Sequence, residues 1–223
     1  MSRMHLFFDL DGTLTDSRPG ILNCMRHALT VMGLAVPPDE ALIRFIGPPT
    51  QDAFRELLGS SDPDLNTRAI AVYRERFAKL GMFENSVYPG ILEGLGALTE
   101  AGFPMLVVTS KPEIFAQQII DHFELRKFFG HVYGSELTGE RGNKGELIAH
   151  VLASEGLTSA DAWMIGDRLH DIRGAKRNGL RAAGVLWGYG DRDELTQAGA
   201  DSIFASMTEL LGHFLPDSKP SRA

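Results

Sequence analysis

The sequence predicts an α/β fold, a doubly wound parallel sheet interrupted by an inserted all-helical cap. Three observations predict it. Short apolar runs rich in Val, Ile and Phe alternate with helical patterns along most of the chain, and such alternation builds a parallel sheet covered on both faces. Residues 17–85 break the alternation with helical patterns alone. The turn stretches "DSRPG" and "ENSVYPG" bracket that segment and suit hinges.

Taken in order, the first strand is "HLFF" (5–8). The insert opens with "GILNCMRHALTVMG", where Ile21, Leu22, Met25, Ala28, Leu29 and Met32 mark one helical face. "TQDAFRELLG" and "DPDLNTRAIAVYRERFAKLG" read the same way. An insert of about 70 residues holds too many helices for one crossover, so the chain divides into an α/β core of residues 1–16 and 86–223 and a cap of residues 17–85. "GILEGLGALTEAG" supplies a helix before the strand "PMLVV" (104–108). "PEIFAQQIIDHF", "GELIAHVLASEG" and "DIRGAKRNG" follow as helices, interleaved with the strands "HVYG" (131–134), "AWMI" (162–165), "AGVLW" (183–187) and "SIF" (202–204). The last residues, "PDSKPSRA", read as a disordered tail.

Composition excludes several function classes. At 223 residues the chain can hold one large domain with an appendage. No apolar run approaches the roughly 18 residues of a membrane span. Asp9 interrupts the only early apolar stretch, so no secretory leader is expected. Cys24 is the sole cysteine, which fits a reducing cytoplasm. The net charge of −7 argues against a nucleic-acid polymer as partner, while leaving room for a small anion held by a few local cations.

The stretch "FFDLDGT" places Asp9 and Asp11 at the end of the first strand. Residues i and i+2 of a strand share a side, and open α/β sheets bind ligands at that end. Gly12 permits a sharp turn, and Thr13 can hydrogen-bond back to hold the carboxylates. Two acids so close ionise together only with a cation between them, unless they share a proton. Taken alone, "DLDG" is equally a strand end closed by an Asp-Gly turn.

Other strand ends break the tie. "WMIGDRLHD" sets Asp167 after an apolar run and Asp171 four residues on, and clustered carboxylates suit a hard cation, Mg2+ best. Thr109 and Ser110 in "LVVTSKP" offer hydroxyls to an anion beside a helix N-terminus. Lys144 in "GNKGEL" starts a helix, where the macrodipole disfavours a cation, and so calls for a fixed anion partner.

"DLDGT", "VVTSK", a lysine opening a helix, and "GDRLHD" together resemble the four motifs of the haloacid dehalogenase-like (HAD) phosphohydrolase superfamily, in the same order and over nearly the whole chain. The resemblance implies a Rossmann-like core. "FIGPP", "NSVYPG", "TSKP", "GDRLHDIRGAKRNG" and "GVLWGYG" are most similar to a subgroup described as phosphoglycolate phosphatase-like or nucleotide 5′-monophosphatase. By that resemblance Asp9 is the nucleophile that forms an aspartyl-phosphate. Asp11 is the general acid and then base, with its pKa raised to suit. Mg2+ is held by Asp9, the Asp11 backbone carbonyl and Asp167. Thr109, the Ser110 amide and Lys144 hold the phosphate oxygens, and Asp171 orients Lys144 or a water from behind. The substrate implied is a small phosphorylated metabolite, a nucleoside 5′-monophosphate or 2-phosphoglycolate, and the protein a monomer or weak homodimer.

The residues also discriminate among sister chemistries. Dehalogenases of this superfamily lack an acid at the position of Asp11, so that activity is not expected. A phosphonate-hydrolysing branch uses a cap lysine, but the first lysine here is Lys79. A β-phosphoglucomutase-type mutase shares the core and differs in how its cap excludes water. A non-catalytic, phosphate-dependent regulatory module would be expected to lose Asp9, Asp11 or Lys144, and all three are present. For substrate recognition, Phe45, Phe54, Tyr73 and Phe83 are candidates to stack on a base or to form cap core. Arg18, Arg44, Arg141, Arg168 and His170 are candidates to meet a second anionic group.

Overall fold

The computed structural model describes residues 4–60 and 62–215, so the tail "PDSKPSRA" lies outside the described residues. Its main sheet has six parallel strands: β1 (His5–Phe8), β4 (Met105–Pro112), β5 (His131–Ser135), β6 (Ala162–Gly166), β7 (Arg181–Val185) and β8 (Ser202–Phe204). They lie in the order β5-β4-β1-β6-β7-β8. β1 is thus the point from which the chain goes first to one side and then to the other, the switch point where such sheets leave a crevice at the strands' carboxyl ends.

Alternation along β1 divides two cores. Leu6 and Phe8 face one cluster and Phe7 the other, and all three are essentially inaccessible. On the first face pack α5 (Ile91–Glu100), α6 (Glu113–His122) and α10 (Met207–Phe214), through residues such as Leu95, Ile119 and Leu210. On the second pack α7 (Lys144–Glu155), α8 (Leu169–Arg177) and α9 (Arg192–Ala198), through Ile148, Ile172 and Leu195. Burying each of these large side chains contributes about 1.5–3 kcal/mol. α9 and α10 are helices of two turns that the sequence pattern does not announce. β7 begins and ends two residues earlier than the run "AGVLW". β4 continues past Val108, with a register shift against β5 that carries extended chain as far as Pro112.

The cap contains α1 (Arg18–Val31), α2 (Asp39–Leu42), α3 (Thr50–Leu58) and α4 (Pro63–Arg76), followed by a π-helical turn at Phe77–Gly81. Pro19 lies in the first turn of α1, and Asp62 caps α4 by accepting from the Asp64 amide. Phe54, Tyr73 and Phe77 form its aromatic core: Phe54 meets Tyr73 edge-on and Tyr73 stacks on Phe77. The chain enters and leaves this segment through a two-stranded antiparallel pair absent from the sequence reading. In it β2 (Thr15–Asp16) lies beside β3 (Ser86–Val87). Phe77 packs edge-on against Phe115 of the core, and Arg168 donates to the Ile46 carbonyl at 2.6 Å. No described helix is long and apolar enough to cross a membrane.

Candidate active site

Asp9 follows β1 directly, and its amide is held by the Ile165 carbonyl of β6 at 2.9 Å. Gly12 then turns the chain with φ +83°, and a Cβ there would lie 2.2 Å from Asp167 Oδ2. Conformation and close approach both require glycine at this point. The turn brings the first strand end against the end of β6. Thr13 donates to Asp167 Oδ1 at 3.4 Å, and the Tyr189 amide donates to Oδ2 at 2.8 Å. Trp187 secures the same turn by donating its indole N–H to the Thr13 carbonyl at 2.9 Å. The carboxylate that Thr13 holds is therefore that of Asp167.

Carboxylate oxygens of Asp9, Asp167 and Asp171 all lie within 4.8 Å of one another. Each of these residues is buried, Asp167 completely. Burial, with Asp171 and Asp9 nearby, pushes the Asp167 carboxyl well above the usual range. Burial also raises Asp171, against the opposing pull of Lys144. Lys144, the first residue of α7, donates to Asp9 Oδ1 at 2.9 Å and to the Val108 carbonyl at 2.9 Å, and its Nζ lies 2.8 Å from Asp171 Oδ1. Burial would lower its pKa, but Asp171 and Asp9 outweigh that and raise it.

The Asp11 carboxylate does not join this cluster. It turns instead to Lys111, whose Nζ lies 2.8 Å from Oδ2. Both acids line one cavity, as their spacing predicts, but each is neutralised by a different lysine. Lys111 also sits over the Phe77 ring, 4.5 Å from its centroid, and so joins the core acid to the cap. Sequence reasoning missed this residue, because a lysine in an extended segment carries no periodic signal. Its position two residues after Thr109, where the strand alternates back to the same side, was the available clue. Four carboxylates thus meet two lysines, which leaves room for a divalent cation to balance the charge. The donor set, all oxygen, fits a hard ion.

Thr109 is buried and accepts from the Lys111 amide at 3.3 Å, and Ser110 is half-buried beside it. Both line the cavity. The cap closes the opposite wall with Phe45, Pro48, Tyr73 and Arg74. Among the proposed stacking residues, Phe54 is fully buried in the cap core and Phe83 packs on His122, away from the cavity. Phe45 and Tyr73 alone among the four line it. The arginines proposed to meet a second anion are already paired. Arg18 faces Asp16, Arg44 faces Glu56, Arg141 faces Glu136 and Arg168 faces Glu194. His170 lines a separate cleft that reaches Lys144 from the other side of Pro48.

Residues 6–185 match a family model described as haloacid dehalogenase-like hydrolase. A protein of Pseudomonas aeruginosa named 5′-nucleotidase is 47% identical over 191 residues, 86% of each chain. A protein of Mycobacterium tuberculosis named tyrosine-protein kinase PtkA is 39% identical over 91% of this chain and 69% of its own length. Among solved structures, a predicted phosphatase from Clostridium acetobutylicum superposes with a TM-score of 0.92 at 40% identity, covering 97% of this chain and all of that one.

Proposed function

This chain belongs to the haloacid dehalogenase-like hydrolase family, and from that premise we propose that it is a phosphatase of small phosphomonoesters, nucleoside 5′-monophosphates first among them. The observation that carries the reading is Asp9, a buried carboxylate fixed by Lys144 on the floor of a cavity it shares with Asp11 and the capping helices. The relative named 5′-nucleotidase tilts the substrate towards nucleotides.

In this reading an Asp9 oxygen attacks phosphorus, the bond to the ester oxygen breaks, and Asp11 gives that oxygen its proton. Asp11 then takes a proton from the water that attacks phosphorus, and Asp9 is released along with inorganic phosphate. Thr109, the Ser110 amide and Lys144 hold the non-bridging oxygens, for which Lys144 gives up one of its three present contacts. Asp171 keeps Lys144 in place from behind. The Asp9 and Asp167 carboxylates and the Asp11 carbonyl would hold Mg2+, whose charge screens the approach of a carboxylate to a phosphate. The cap excludes water and closes over ligands of metabolite size. The full set of ionisable groups favours this enzyme over a phosphate-binding regulatory module, and the buried lone thiol of Cys24 suits the cytoplasm.

The test is a phosphomonoester panel with Mg2+, run on the native chain and on Asp9→Asn. The native chain should release phosphate, and the variant should lose at least about 10⁴-fold in kcat while melting within a few degrees of it. Retained turnover would remove Asp9 from its role.

A further inference from the structure

Arg74 differs from four other arginines of the cap, of which Arg26 and Arg76 are half-buried like it and Arg44 and Arg55 are exposed. Arg26, Arg44, Arg55 and Arg76 pair with Asp39, Glu56, Asp52 and Glu84. Arg74 lines the catalytic cavity, its Nε is fully buried, and no described residue bonds to it. Burial lowers its pKa, as expected of a cation drawn from water without compensation. A buried donor without a partner is costly, and the cavity that Arg74 lines gives room for one. The core side of the cavity is lined by Asp9, Thr109 and Ser110, so Arg74 on the cap wall faces whatever the phosphate is attached to.

We propose that Arg74 reads the leaving group, through two hydrogen-bond acceptors set side by side on it. A guanidinium is a planar fork, matched to paired acceptors rather than to a single atom. Phe45 and Tyr73 line the cavity with it and add aromatic surface against which a ring can pack. This inference rests on the nucleotide reading and narrows it. The base edge with two adjacent acceptors is O6/N7 of a 6-oxopurine, whereas adenine presents an amino donor there. IMP and GMP are therefore the preferred substrates, and AMP is disfavoured by donor facing donor. The carboxylate of a phosphorylated hydroxy acid offers the same paired acceptors and is the other source to distinguish.

The experiment measures kcat/KM for IMP, GMP, AMP, 2-phosphoglycolate and p-nitrophenyl phosphate on the native chain, Arg74→Ala and Arg74→Lys. Each variant is first checked by circular dichroism and melting. The native chain should favour IMP over AMP by about tenfold or more, and Arg74→Ala should bring that ratio to within about twofold of unity. Arg74→Lys, a point charge without the fork, should not restore it. A native IMP/AMP ratio near one overturns the inference, as does a ratio unchanged in Arg74→Ala. Proportional loss on every substrate would mean a structural role and also overturn it. A selective loss on 2-phosphoglycolate overturns the oxopurine assignment. If no nucleotide exceeds p-nitrophenyl phosphate on the native chain, it is the nucleotide reading itself that has failed, and the variants are not needed to see it.

Discussion

Lys111 Nζ lies 2.8 Å from Asp11 Oδ2, in a wall where the lysine side chain is only 5% exposed. Asp11 is thereby kept apart from the three clustered acids and held at the cavity wall. Removing one member of a buried pair leaves the other uncompensated, so Lys111→Gln should destabilise the fold by about 3 kcal/mol. With Asp11 no longer held, kcat should fall about 10²-fold, within the range of general acid–base catalysis. Urea unfolding and steady-state kinetics read the two effects. Normal kcat with lowered stability would confine Lys111 to a structural role.

Asp167 is completely buried and its pKa is raised by burial and by Asp171 and Asp9. A carboxyl raised on folding ionises more readily in the unfolded chain, so at neutral pH it opposes folding. Asp167→Asn should therefore raise the melting temperature in EDTA. Mg2+ should raise that of the native chain, by binding the folded state alone, and leave the variant unmoved. Differential scanning fluorimetry with and without Mg2+ measures both. A native chain whose melting is indifferent to divalent ions would refute the cation site.

Glu84 receives both Arg76 nitrogens, at 2.8 and 2.9 Å, and its carboxyl is held below the usual range by that hydrogen bonding. A depressed carboxyl gives stability that is fully present above its unfolded value, about 4.3. It is lost as pH falls through the folded value. Glu84→Gln should thus lower stability at pH 7 and converge on the native chain only once pH has fallen through the lowered folded value, under about 4.3. Melting curves across that span are decisive, and a gap that stays constant with pH would exclude the ion pair as its source.

Phe45 and Phe54 should separate recognition from packing. Phe54 is fully buried against Tyr73, so Phe54→Ala should cost about 3–5 kcal/mol and affect every substrate alike. Phe45 lines the cavity, and Phe45→Ala should raise KM for nucleotides several-fold more than for p-nitrophenyl phosphate, as loss of base stacking requires. Equal KM changes on the two substrates would take Phe45 out of recognition.

All six strands of the main sheet were legible in the sequence, because strands buried on both faces leave unbroken apolar runs. The acids were legible for the related reason that a charge at the end of such a run is costly without a purpose. What the chain concealed were relationships across it. Lys111 opposes Asp11 because β4 stays extended to Pro112, and nothing local marks that extension. Phe45 and Phe54 are alike in a helical pattern, yet only Phe45 faces the cavity. Arg74 stands between Tyr73 and Glu75 in an ordinary amphipathic stretch, and only the count of partners in space sets it apart. β2 and β3, two residues each, are too short to show a period.

The neck formed by β2 and β3 has an evolutionary consequence. Thr15 faces Val87 and Asp16 faces Ser86, so the two ends of the helical segment meet side by side. To the rest of the chain, a segment with touching ends is a closed loop, and doubling its length costs only about 0.6 kcal/mol of closure entropy. Duplication, trimming or replacement of the helices beyond Asp16 therefore leaves the register of the six-stranded sheet intact. The helices beyond Asp16, with Phe45, Tyr73 and Arg74 on the cavity wall, thus form a cassette joined to the sheet at the neck alone in sequence.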